Sequence, residues 1–197
     1  MFSVRFHGRG GQGVVTAAEL LAVAAFTEGK YAQAFPSFGS ERMGAPVMSF
    51  CRMSEKPIRT HEPVTEPDAL IVQDPTLLHQ ADLLAGLDGK GCMLINSTKS
   101  FDELGLGEFV KDFSRDRFLV VPATSLAMTH LGRPLPGAVM LGGFAALTGA
   151  VSLESVVAAI NERFSGKVAD GNIAAARAAY TYVLAEREAL TSDAQAD

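Results

Sequence analysis

The chain is short of the residues that build metal centres and disulfide frameworks. Its 197 residues include two cysteines, Cys51 and Cys92, and four histidines, His7, His61, His79 and His130. Neither cysteine has a cysteine or histidine at ligand spacing, and the histidines are scattered. That pattern excludes a zinc or iron–sulfur centre held by this chain. Both thiols fall in apolar, strand-like runs and are expected in the core. Positive charge is also scarce: 17 Lys and Arg against 22 Asp and Glu leave a net charge of −5. A nucleic-acid surface needs a basic footprint that is missing here. No apolar run is long enough to span a bilayer, and the opening segment lacks the basic and apolar regions of a secretory signal. The expectation is a cytoplasmic protein that binds neither nucleic acid nor membrane.

Apolar residues are plentiful, at 48% of the chain, and many are alanines. That points to close helix packing or to a subunit interface. The length suits a single domain with a core of its own.

The order of patterns predicts an α/β fold. Strands are expected at 2–7, 31–35, 47–53, 69–73, 92–96 and 118–121, the last three as short apolar runs of the kind buried on both faces of a parallel sheet. Helices are expected at 14–27, with Gly29 as C-cap, at 138–150, at 152–164 behind a Ser152 N-cap, and at 172–190. Asp74-Pro75 opens a further helix. Strands alternating with helical stretches give βαβ units and a doubly wound, mostly parallel, Rossmann-like sheet, followed by a helical C-terminal third. One domain is expected over 1–190, with a polar tail at 191–197.

The strongest local motif is Gly8-Arg9-Gly10-Gly11-Gln12-Gly13. It follows an expected strand and opens an expected helix, which is the context of a phosphate-binding glycine loop. Glycines there permit positive φ and close approach of a phosphate to backbone N–H groups at a helix N-terminus. The other reading is that they only let helix, sheet or another chain pack closely. A nicotinamide dinucleotide site also needs an acid at the end of the second strand, and that region reads Gln33-Ala34-Phe35-Pro36-Ser37. This weighs against an independent NAD(P)-binding oxidoreductase. Gln12 is placed either to donate to a phosphate or to cap the helix. No Ser/His/Asp or Cys/His set forms a catalytic constellation, so no catalytic residue is assigned.

Several segments in order resemble one family. Phe6-His7 with the glycine loop, Phe38-Gly39-Ser40-Glu41-Arg42-Met43-Gly44-Ala45-Pro46-Val47, Asp74-Pro75-Thr76-Leu77-Leu78, Leu94-Ile95-Asn96-Ser97, Leu131-Gly132-Arg133-Pro134 and Asn172-Ile173-Ala174-Ala175 resemble the gamma subunits, or fused gamma domains, of the 2-oxoacid:ferredoxin oxidoreductases. Ser40 stands where that family usually has proline, and Met43 where it has a second arginine.

The resemblance implies a subunit of a complex that oxidatively decarboxylates a 2-oxoacid to an acyl-CoA. Thiamine diphosphate, Mg²⁺ and iron–sulfur clusters would belong to alpha, beta and delta partners, with ferredoxin or a flavin/NAD subunit as acceptor. It implies that this chain holds no cofactor alone and contributes to assembly and to coenzyme A access. The candidate coenzyme A contacts are Gly8, Arg9, Gly10, Gly11, Gln12 and Gly13, with Ser40, Glu41 and Arg42. A purely structural subunit is the alternative. The 2-oxoacid stays open among pyruvate, a branched-chain acid and an aromatic one such as phenylglyoxylate. A thiamine site would need Gly-Asp-Gly and a later Asn. The nearest segment, Ala169-Asp170-Gly171-Asn172, reads instead as a turn and N-cap for the last helix.

Overall fold

The computed structural model describes residues 1–37, 43–79, 83–111 and 113–193. Strand β1 (Phe2–Arg9) runs into helix α1 (Val14–Thr27), and strands β2 (Tyr31–Pro36) and β3 (Pro46–Ser54) follow. Strand β4 (Ala69–Val72) leads to a 3-10 turn at Pro75–His79, then to β5 (Cys92–Asn96), the short helix α2 (Gly107–Val110) and β6 (Phe118–Val121). Helices α3 (Ala123–Leu131), α4 (Gly137–Thr148), α5 (Leu153–Arg163) and α6 (Gly166–Asp193) complete the chain.

The six strands form one sheet in the order β2-β3-β1-β4-β5-β6. The β1–β4, β4–β5 and β5–β6 pairs are parallel, as expected. The β2–β3 and β3–β1 pairs are antiparallel. The link between β2 and β3 is too short for a crossover helix, so these strands pair as a hairpin, and β3 rather than β2 lies against β1.

Alternate strand residues divide between two cores. Phe6, Ile71, Leu94 and Leu119 face α1, α4, α5 and α6, whereas Leu70, Val72, Met93 and Ile95 face Leu77, Leu83 and Leu106. Cys51 and Cys92 are buried, and burial raises both thiols, that of Cys92 to about 12.

The alanine-rich segments pack within the chain. Every residue of α4 from Gly137 to Leu147 is buried. A Cβ on Gly142 would lie 2.0 Å from the Ala176 carbonyl oxygen, so α4 and α6 meet backbone to backbone. Of the two readings that composition left open, α4 satisfies the intramolecular one.

Two expectations are corrected. Helix α6 begins at Gly166, so the segment from Ala169 to Asn172 is helix interior and not a turn. Asn172 does not cap: its Nδ2 donates to the Val168 carbonyl 2.8 Å away, the bond to the preceding turn that such side chains make inside helices. Gly171 is there because α3 ends against it, its absent Cβ falling 2.8 Å from the His130 carbonyl oxygen. Helix α3, which the apolar pattern did not announce, ends on Gly132 in the left-handed conformation. No helix among the described residues is long and apolar enough to cross a membrane.

Candidate functional site

The sheet order creates a switch point. From β1 the chain departs to β3 and β2 on one side and to β4 on the other. In open α/β sheets, ligands seat at the carboxyl ends of the strands flanking such a point. The residues there are the glycine loop after β1 and Gln73-Asp74 after β4.

The loop's geometry follows from its glycines. Gly11 and Gly13 hold φ of 94° and 76°, values that only glycine adopts without strain. Gly8 lets α1 approach: a Cβ there would lie 2.6 Å from Val14 Cγ2 and 3.2 Å from Gln73 Cβ. The buried Ser49 hydroxyl on β3 donates to the Val14 carbonyl at 2.9 Å and seats the first turn of α1. That helix starts at Gly13 without a side-chain cap or an acid in its first turn. Among the described residues no acceptor is paired with the N–H of Gly11 or Gly13.

Polar side chains lock this shape. Gln12 Oε1 accepts the Arg9 backbone N–H at 2.8 Å, and Gln12 Nε2 donates to Asp74 Oδ2 at 2.9 Å. Gln12 therefore does not cap the helix; it ties the loop to the end of β4. Arg9 lies 3.2 Å from Asp74 and donates to Thr76 Oγ1 at 2.8 Å and to the Gly44 carbonyl at 3.0 Å. Burial acts to raise the Asp74 carboxyl, but hydrogen bonds from Thr76 and Gln12 and the Arg9 charge outweigh it and hold the group below its usual range.

The structure brings Gly8, Arg9, Gly10, Gly11, Gln12 and Gly13 together in this one turn. Ser40, Glu41 and Arg42 lie outside the described residues, but the segment beside them reaches the loop. Gly10 N donates to the Ala45 carbonyl at 2.9 Å and Gly44 N to the Gly10 carbonyl at 3.1 Å. Met43 is 88% exposed, and its sulfur lies 2.8 Å from where a Gly11 Cβ would stand. A groove of about 490 Å³ runs between Met43 and Val47 on one side and Arg9, Gly11 and Thr16 on the other.

Other polar groups at this edge carried no role in the sequence reading. Asn96, at the end of β5, donates through Nδ2 to the Gln73 carbonyl at 2.8 Å and accepts the Thr124 N–H at 3.0 Å. It joins the ends of β4 and β5 to the start of α3. Asn96, Thr76 and Ser125 border a second cleft of about 670 Å³. The Gln73 side chain is 1% exposed, and neither of its amide atoms has a partner among the described residues. The usable signal was position: Gln73 directly follows β4 and Asn96 ends β5, both buried parallel strands.

A nicotinamide site is disfavoured by topology as well as by composition. Its ribose acid ends a parallel second strand beside β1. Here that neighbour is β3, running the opposite way and presenting Pro46 opposite Arg9.

Fold and loop thus define a glycine-loop α/β protein with an anion-compatible turn at its switch point and, among the described residues, no assembled catalytic set. A family model for pyruvate ferredoxin/flavodoxin oxidoreductase matches residues 3–182. The chain is 47% identical over 180 residues to the pyruvate synthase subunit PorC of Methanothermobacter marburgensis, covering 91% of this chain and 96% of that protein. It is 48% identical over 180 residues to the pyruvate/ketoisovalerate oxidoreductases common subunit gamma of Pyrococcus furiosus, with the same coverage. Among solved structures, the pyruvate oxidoreductase subunit PORC of Thermotoga maritima superposes with a TM-score of 0.77 at 37% identity, over 91% of this chain and 95% of that one. The chain belongs to the pyruvate ferredoxin/flavodoxin oxidoreductase family, aligned along its length with gamma-type subunits.

Proposed function

We propose that this chain is the gamma subunit of a cytoplasmic pyruvate, or closely related 2-oxoacid, oxidoreductase, and that its glycine-loop edge forms part of the path by which coenzyme A reaches the complex. The reading rests chiefly on end-to-end similarity to PorC and common gamma subunits, at 47–48% identity. The relatives' names favour pyruvate or ketoisovalerate over an aromatic 2-oxoacid. The partners are alpha, beta and delta subunits that carry thiamine diphosphate, Mg²⁺ and iron–sulfur clusters, with ferredoxin as acceptor.

The loop's chemistry fits a phosphate group. Gly11 and Gly13 present backbone N–H groups, and the uncapped start of α1 adds partial positive charge. Asp74 and Gln12 hold that turn in one shape before any ligand arrives, which lowers the ordering cost of binding. Arg9 is already paired with Asp74, so it orients the loop more than it offers a free charge. Coenzyme A would supply the acyl-accepting thiol; this chain's part is to seat phosphates and shape the approach. Ser40, Glu41 and Arg42 belong to the same proposed contact through their continuity with Met43 and Gly44.

The purely structural alternative draws support from the same bonds, because Gln12 and Arg9 spend their polar groups inside the chain. The deciding experiment uses the complex purified from its native host, with wild-type chain or Gly10→Val. Co-purification with larger subunits and pyruvate-dependent ferredoxin reduction test the assembly. A raised Michaelis constant for coenzyme A with an unchanged 2-oxoacid constant supports the loop's role. Equal loss of both, or loss of assembly, supports the structural reading.

A further inference from the structure

A further cavity lies across the first turn of α1 from the proposed coenzyme A groove. It encloses about 530 Å³ between α1, the α3–α4 connection and the junction of α5 with α6. Its apolar lining includes Leu20, Leu135, Ala138 and Phe164, and its polar lining includes Arg133, Arg163 and Lys167, with no carboxylate among the lining residues. In a chain of net charge −5 this is a local reversal of sign. Among the described residues no acid pairs with any of these three cations. Arg163 instead lies over the Phe164 ring, 5.8 Å from its centre.

The backbone adds charge of the same sign. Helices α1 and α4 both start at this cavity, on Gly13 and Pro136, and neither has a side-chain cap or an acid in its first turn. The first turn of α6 contributes Lys167 and Val168 and is also free of acids. Helix α5 differs: Ser152 caps it and Glu154 stands in its first turn. Arg133, Arg163 and Lys167 are all exposed, so solvent screens their mutual repulsion; what the hollow offers is three cations and two uncapped helix starts with no acid in its lining, a setting that favours an anion.

We propose that this cavity binds a phosphorylated small molecule of the nucleoside-phosphate class. Its phosphates lie against Arg133, Arg163 and Lys167, and its planar body lies on Leu20, Leu135 and Phe164. Two arginine forks and an ammonium exceed what a single carboxylate satisfies and match phosphate oxygens. The apolar floor gives a body to bind that a bare inorganic ion lacks, and the volume lies in the range of small-molecule sites. The site stands apart from the proposed coenzyme A groove, with which it shares only Gly13 and Thr16.

The test is calorimetric titration of the assembled complex with ADP, adenosine and inorganic phosphate, using wild-type chain, Arg133→Gln and Lys167→Gln. Both substituted residues are exposed, so the variants keep the fold. The expected result is ADP binding that weakens about tenfold with each lost cation, while adenosine and phosphate alone bind at least about tenfold more weakly than ADP. Absence of ADP binding, or ADP affinity unchanged in both variants, overturns the proposal. Phosphate binding as tight as ADP reassigns the site to the free ion and overturns the nucleoside part. A Michaelis constant for coenzyme A that rises in parallel with the ADP loss reassigns the cavity to coenzyme A and overturns its independence.

Discussion

Gln12 Nε2 lies 2.9 Å from Asp74 Oδ2, joining residues 62 positions apart across the switch point. The same amide accepts the Arg9 N–H through its other end. One side chain thereby couples the turn after β1 to the turn after β4, and the Asp74 carboxylate gathers Gln12, Arg9 and Thr76 on its two oxygens. A glycine loop without such ties would sample many shapes. This one is held from its neighbouring strand.

Asp74→Asn tests that coupling. It removes the charge facing Arg9 and weakens the bonds from Gln12 and Thr76. Arg9 is about one-third exposed, so solvent screens the ion pair, and the expected stability loss is about 1–2 kcal/mol. In the assembled complex the variant should raise the Michaelis constant for coenzyme A and leave that for the 2-oxoacid in place. Urea titration reads the first effect and steady-state kinetics the second. Wild-type values in both would remove the loop from function.

Packing of α4 on α6 gives a sharper stability test. Gly142→Ala would place a methyl 2.0 Å from the Ala176 carbonyl oxygen, whereas Gly149, at φ 63°, faces open space. Alanine at 149 should cost about 1 kcal/mol from the left-handed conformation alone. At 142 it should cost about 3 kcal/mol or more, because two helix backbones must separate. Thermal unfolding of the two variants side by side distinguishes them, and equal losses would refute the close approach.

Part of this was legible locally. Helix α1 was expected at 14–27 and β6 at 118–121, and both form with those bounds. An all-apolar helix between glycines and a short apolar run are signals contained in their own windows. The antiparallel insertion of β3 was not legible, because strand order depends on pairings between distant segments. Nor was the start of α6: Asn172 reads as a cap in isolation, yet Ala169, Ala175 and Ala176 around it are buried, and that burial extends the helix through it. The glycine loop announced itself by spacing. Asp74, Gln73 and Asn96 did not, since they meet the loop only through the β1–β4–β5 register.

Glu28 predicts an acid-dependent contribution. It ends α1 and accepts the Ser152 N–H and the Ser155 hydroxyl, each at 2.6 Å, while Lys30 lies 3.1 Å away. Burial acts to raise its carboxyl, but these bonds outweigh it and bring the group from 4.5 down to about 2. A depressed folded value means that the stabilisation is complete above 4.5 and drains away as pH falls toward 2. Glu28→Gln should lose about 1–2 kcal/mol at pH 7, and its gap from wild type should narrow by pH 3. A gap that stays constant with pH would show that the charge contributes nothing.

His7 predicts a second window, at higher pH. It sits on β1, 7% exposed, and its Nε2 accepts the Arg5 Nε–H at 3.0 Å. That bond requires a neutral ring with its proton on Nδ1. Arg5 is itself buried, donating to the Leu83 and Ala85 carbonyls at 2.8 and 2.7 Å, so it cannot swing away. Burial, with the Arg5 charge beside it, pushes the imidazole from 6.5 down to about 3. Between these values the unfolded chain binds a proton that the folded chain refuses, so folding stability rises with pH. The contribution is complete above 6.5 and is lost as pH falls from there toward 3. Below 6.5 the slope approaches about 1.4 kcal/mol per pH unit. The interval from 6.5 to 4.5 separates this effect from that of Glu28, whose carboxyl stays ionised there in both states. His7→Gln retains an acceptor for Arg5 but cannot titrate. It should be less stable than wild type at pH 7, through its poorer fit, and should lack the wild-type slope between 6.5 and 4.5. Denaturant titrations of both proteins at four pH values across that interval measure the difference. Parallel curves would mean that His7 takes up its proton as readily in the folded chain as in the unfolded one.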